Sequence, residues 1–146
     1  MSFRLLLSLV LLAVVQSGCA QNVPADRPPI DDPEYDRKLQ RLLGFSVPLI
    51  GVNELENIQG EVVIFDTRKR EEYEVSHIPG ARFLGYEEDY APARLNEVIK
   101  ERPIVLYCSV GYRSEKIGER LRREGFTNVY NLYGSIFEWV NRGKPV

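Results

Sequence analysis

Apolar residues fall into three regimes along this chain. Residues 5–15, "LLLSLVLLAVV", form a nearly unbroken apolar block, residues 20–33, "AQNVPADRPPIDDP", have no apolar period, and beyond them short apolar runs alternate with charged stretches. In the third regime "EVVIFD" (61–66), "PIVLYC" (103–108) and "NVYNL" (128–132) read as β-strands, with "ARFLG" (81–85) a weaker one. Charged helical patterns occupy roughly 53–59, 69–75, 92–100, 114–124 and 135–142. Continuous apolar strands need cover on both faces, so the pattern predicts an α/β fold with a parallel sheet between helices, in one domain over 46–146. Ahead of it, "PEYDRKLQRLLGF" puts Tyr35, Leu39, Leu42 and Leu43 at helical spacing. Asp32 fits an N-cap, Pro33 a first turn and Gly44 a stop, which predicts an amphipathic helix over 33–45 packed on the domain. The proline-rich stretch 20–32 suits an extended linker.

Composition narrows the function. The chain has 146 residues, 44% of them hydrophobic, and a formal charge of −2. With a pI near 5.5, bulk basicity to neutralise a phosphate backbone is lacking, so nucleic acid is not an expected partner. Residues 1–19 carry one cation, Arg4, then the apolar block, then Ser17 and Gly18 before Cys19, which is the layout of a secretory signal peptide. This apolar block of eleven residues falls well short of the roughly 20 that a helix needs to cross a bilayer. Cys19 after small residues resembles the lipobox of bacterial lipoproteins, which implies lipidation there and attachment to a membrane; cleavage after Ala20 is the alternative and gives a periplasmic or secreted protein. Either way the chain is expected to be exported, which leaves Cys108 as a cysteine without an intramolecular partner in a compartment that favours disulfides.

Cys108 sits where the run "PIVLY" gives way to a helical pattern, and Asp66 ends "VVIFD" in the same way. Ligands of open parallel sheets collect at the carboxyl ends of strands, so both residues are expected on a functional rim. The five residues Ser109, Val110, Gly111, Tyr112 and Arg113 then form a tight connection whose amide groups cradle the sulfur at the positive end of the helix dipole. Ile117 and Leu121 give that helix its buried face, and Glu119 pairs with Arg123. A free thiol with a pKa of about 8.5 is mostly protonated at neutral pH, and helix N-termini and cations lower it. The dipole contributes at most about 2 kcal/mol, so larger shifts need several N–H donors on one sulfur. Arg113 adds positive charge or grips an anionic substrate.

Three separated segments, "DTRKREEYEVSHIPGA" (66–81), "CSVGYRS" (108–114) and "GFTNVYNLYGSIFEWVNRGKPV" (125–146), resemble those of the rhodanese-like sulfurtransferase family. The resemblance implies a five-stranded parallel sheet with helices on both faces. It implies no metal and no organic cofactor. It makes Cys108 the nucleophile, which takes sulfane sulfur from a small donor such as thiosulfate and passes it to cyanide, a thiol or a protein acceptor. Asp66, Arg68 and Glu72 match the family's D-x-R-x-x-x-E segment and are expected to brace the loops. His77, the one histidine, falls in the turn "HIPGA" and is not expected to act as a general base. Ser135 and Ser76 stand where the family commonly has glycine, and neither is expected to touch the cysteine loop. Two other functions stay open: a docking or sulfur-relay module, and a cysteine phosphatase or arsenate reductase, whose loop has one more residue between cysteine and arginine.

Overall fold

The computed structural model describes residues 22–146. Residues 1–19, expected to form a signal peptide, and Cys19, expected to carry a lipid, lie outside the described residues. Five parallel strands, β1 (Leu49–Ile50), β2 (Val63–Asp66), β3 (Arg82–Phe83), β4 (Ile104–Tyr107) and β5 (Val129–Leu132), form one sheet in the order β1-β5-β4-β2-β3. The helices are α1 (Pro33–Leu42), α2 (Val52–Ile58), α3 (Arg70–Val75), α4 (Tyr112–Arg123) and α5 (Ser135–Asn141).

Strand alternation divides the core in two. Phe65, Ile104 and Leu106 face a cluster closed by Ile117 and Leu121 of α4. Ile64, Val105 and Tyr107 face the other cluster, with Leu55 of α2 and Ile136 and Trp139 of α5. Both faces are thus covered, as period-2 side chains on a doubly buried sheet require.

Two features of the chain depart from the pattern-based reading. No α-helix covers 92–100: a 3₁₀ turn spans Pro92–Leu95, and Ile99 is 67% exposed. Leu95 and Val98 are the buried anchors of the segment, too few to make an apolar helix face. Conversely, β1 was not among the strand runs. Two residues between Pro48 and Gly51 carry no period, and pairing with β5, Leu49 to Asn131 and Ile50 to Leu132, is what makes them a strand.

Helix α1 starts as a capped helix should. Asp32 accepts the N–H groups of Glu34 (2.8 Å) and Tyr35 (3.2 Å), and Pro33 occupies the first turn. It buries Leu39, with Leu43 just beyond its end, in a third cluster that includes Tyr133, Tyr35 and Val110, while Leu42 is 44% exposed. The proline-rich residues before it lie against the domain rather than trailing free. Ile30 packs on the third cluster, Arg27 pairs with Asp36 at 2.7 Å, and Arg142 donates to the Pro29 carbonyl at 2.8 Å. The stop lies at Leu43, and Gly44 serves another purpose. Its N–H and that of Ser46 donate to the buried Glu115 carboxylate at 2.8 and 2.9 Å, fastening the chain to α4.

Candidate active site

Cys108 directly follows β4 and Asp66 ends β2, so the neighbouring strand ends carry both to one rim. Helix α4 begins at Tyr112, so the connection from Cys108 is three residues long, and Tyr112 and Arg113 already form the helix's first turn. Gly111 is the N-cap, with φ 114°, a backbone that side-chain-bearing residues rarely adopt. Its N–H donates to the Cys108 sulfur at 3.1 Å. Asn131, buried in β5, fixes this glycine by donating to its carbonyl at 2.9 Å and accepting from Ser114 Oγ at 2.7 Å.

Of the five residues expected to cradle the sulfur, Gly111 supplies the main-chain donor to it. Val110 packs into the third apolar cluster and Tyr112 is 42% exposed. Ser109 and Arg113 join a polar clamp instead. Arg113 donates to both Glu72 oxygens, at 2.9 and 3.2 Å, and to Ser109 Oγ at 2.8 Å. Ser109 Oγ in turn lies 3.2 Å from Glu72 Oε1. The Arg113 guanidinium leads the causes that hold the Glu72 carboxyl down to about 2. Glu72 in turn raises Arg113 above its ordinary value. The candidate anion-binding cation therefore spends its fork on a carboxylate of the same chain.

Cys108 is 1% exposed, yet none of the three apolar clusters among the described residues includes it. Its N–H donates to Ser135 Oγ at 3.2 Å, and its carbonyl accepts from Ile136 N–H at 3.2 Å. The Ser135 contact overturns the expectation that this position stays clear of the loop. Ser135 holds φ 52°, the left-handed region, directly after Gly134 at φ 77°. That backbone explains a preference for glycine here; in this chain a serine tolerates it and uses its hydroxyl on the loop.

Asp66 and Arg68 form a brace. Asp66 is fully buried, and Arg68 donates to it through Nε (3.0 Å) and Nη2 (2.7 Å) while Nη2 also reaches the Ser76 carbonyl at 2.6 Å. A buried carboxylate needs such a partner. His77 donates through Nδ1–H to the Tyr73 carbonyl at 2.9 Å and stacks on the Tyr73 ring at 4.0 Å, which ties the ring to the end of α3. Glu119 takes Lys116 (2.9 Å) and Ser46 (2.6 Å) as its close partners in place of Arg123.

Three contributors escaped the sequence reading: Asn131, Ser135 and Tyr35, whose hydroxyl donates to the Gly134 carbonyl at 2.8 Å. For Asn131 a signal existed, since an amide inside an apolar strand demands partners. Among the described residues, no group of three or more His, Cys, Asp or Glu is placed to hold a metal ion. Nor is any described helix long and apolar enough to cross a membrane.

A parallel sheet that presents one cysteine at a strand end, inside a glycine-turned loop leading into a helix, defines a single-cysteine α/β domain. Residues 52–142 match the Rhodanese-like domain family, and the chain belongs to that family. It is 34% identical over 86 residues to a "Sulfurtransferase" of Allochromatium vinosum, a match covering 59% of this chain and 78% of that one. It is 35% identical over 88 residues to a tRNA uridine(34) hydroxylase of Erwinia tasmaniensis, where the match covers 58% of this chain but 25% of the relative. Among solved structures, the human single-domain sulfurtransferase TSTD1 superposes with TM-score 0.59 at 26% identity, covering 66% of this chain and 98% of its own. Helix α1 and the segment before it precede the residues matched by the family, 52–142.

Proposed function

We propose that this protein is a sulfurtransferase whose Cys108 carries sulfur as a persulfide. The observation that supports it most directly is the Cys108 sulfur held by the Gly111 N–H at the start of α4. The Cys108 thiolate attacks the sulfane sulfur of a donor such as thiosulfate, the donor's S–S bond breaks, and sulfite leaves with the bonding electron pair. Cyanide or a thiolate then attacks the outer sulfur of the persulfide, forming thiocyanate or an organic persulfide and returning the Cys108 thiolate. Residues 1–19 support placing this chemistry outside the cytoplasm, on a lipid anchor at Cys19.

The test is transfer from thiosulfate to cyanide by the wild type and by Cys108→Ser. The serine variant is expected to lose transfer while its denaturation midpoint stays close to the wild type's, since the replacement is nearly isosteric. Transfer by neither protein, with any donor, would point to a docking module instead. Intact mass of the protein from its native membrane reports in one measurement an added sulfur on residue 108 and a lipid on residue 19.

A further inference from the structure

A cleft of about 480 Å³ opens between α1 and α5, beside the cysteine loop, a size typical of small-molecule sites. Its apolar lining is Tyr35 from α1 with Ile136, Phe137 and Val140 from α5; Phe137 and Val140 are about half exposed, 52% and 48%. The cleft is joined to the nucleophile by main-chain hydrogen bonds. The N–H groups of Ile136 and Phe137 donate to the carbonyls of Cys108 (3.2 Å) and Ser109 (3.3 Å). Tyr35 belongs to both, since it lines the cleft and its hydroxyl donates to the Gly134 carbonyl, next to the serine whose Oγ accepts the Cys108 N–H.

The charges around this cleft are already matched. Lys38 pairs with Glu34 at 2.9 Å, Arg68 with Asp66 at 2.7 Å, and Asp32 caps α1. Arg113, the cation nearest in role to an anion site, is bound by Glu72. The two cations that line the cleft, Lys38 and Arg68, and Arg113 in the clamp are thus already paired against an inorganic dianion, whereas an uncharged apolar group finds an uncovered apolar wall.

We propose that the cleft holds the apolar organic part of a small persulfide donor, R–SSH, with R an aryl or alkyl group. This rests on the sulfurtransferase reading and names its substrate class. Cys108 thiolate attacks the outer sulfur of R–SSH, the S–S bond between the two donor sulfurs breaks, and RS⁻ leaves with the bonding electron pair and takes up the proton of the transferred SH. Four of the ten residues lining the cleft, Asp32, Glu34, Tyr35 and Lys38, precede residues 52–142.

The experiment loads the full chain with either benzyl persulfide or thiosulfate and follows the added sulfur on Cys108 by mass, for wild type, Phe137→Ala and Val140→Ser. The ratio of kcat/KM for benzyl persulfide to that for thiosulfate is expected to fall about fivefold or more in each variant, the scale of a lost apolar contact in a specificity pocket. An unchanged ratio, or a wild type that uses thiosulfate but not benzyl persulfide, overturns the cleft assignment and leaves sulfur transfer standing. A wild type loaded by neither donor overturns both. Independently of turnover, amide shifts in Cys108→Ser titrated with benzyl mercaptan are expected at Phe137 and Val140; shifts confined elsewhere overturn the assignment.

Discussion

Ser135 holds two opposing terms in one residue: a left-handed backbone at φ 52° and a hydroxyl that satisfies the buried Cys108 N–H at 3.2 Å. The backbone term costs of order 1 kcal/mol for a residue with a side chain, and leaving a buried N–H unpaired costs about 1–3 kcal/mol. Ser135→Ala keeps the strain and loses the bond, so it is expected to destabilise by about 2 kcal/mol. Ser135→Gly loses the bond but also the strain, and should stay within about 1 kcal/mol of wild type. Urea denaturation of the three proteins checks this; an alanine variant as stable as the glycine variant would remove the strain from the account. At this scale the placement of Cys108 was legible, because an apolar run before it and a glycine after it mark a strand end that turns into a helix. Arg113's engagement was not, since Glu72 lies 41 positions away and neither residue's neighbours indicate the other.

Among the elements, α1 shows how local and tertiary signals divide. Asp32 and Pro33 announce its start through backbone chemistry that acts over three residues. Its partners, Tyr133 and Val110, belong to the end of β5 and the cysteine loop, which no local pattern names. If α1 is part of the cooperative core, Leu39→Ala should cost about 2–4 kcal/mol. Trp139, buried with Ile136 in the cluster that α2 and α5 form against the sheet, is the sole tryptophan and reports global unfolding. A fluorescence midpoint unmoved by Leu39→Ala would mean that α1 opens separately from the sheet. The 92–100 segment marks the reverse failure. A charged, partly apolar pattern there finds two buried anchors, and without a continuous face the chain settles into a 3₁₀ turn.

Across the whole molecule, three carboxylates tie distant segments together, and each is held below its ordinary pKa. Glu72 is lowered by Arg113 first, to about 2, Asp36 by Arg27 first, and Glu119 by Ser46 first. A carboxyl whose folded pKa lies below its unfolded value binds protons more readily in the unfolded chain. Its stabilisation is present above the unfolded pKa, 4.5 for Glu72, and is lost as pH falls toward about 2. The Glu72 share is small, below about 1 kcal/mol, because the pair is partly exposed to solvent. Stability to urea is therefore expected to fall between about pH 5 and about pH 3. The gap between wild type and Glu72→Gln should narrow over the same window. A gap that widens on acidification would contradict the sign.

By itself the sequence determined the strand runs β2, β4 and β5, cover on both sheet faces, the rim position of Asp66 and Cys108, and the capped start of α1. Each of these follows from periodicity or backbone preference acting over a few residues. Tertiary structure alone decided the order β1-β5-β4-β2-β3, the existence of β1, the hold of Glu72 on Arg113, and the seating of Tyr35 against Gly134, 99 positions away. Those outcomes depend on which distant side chains arrive together. That is set by the joint packing of two apolar layers and a rim helix, and no segment carries that information alone.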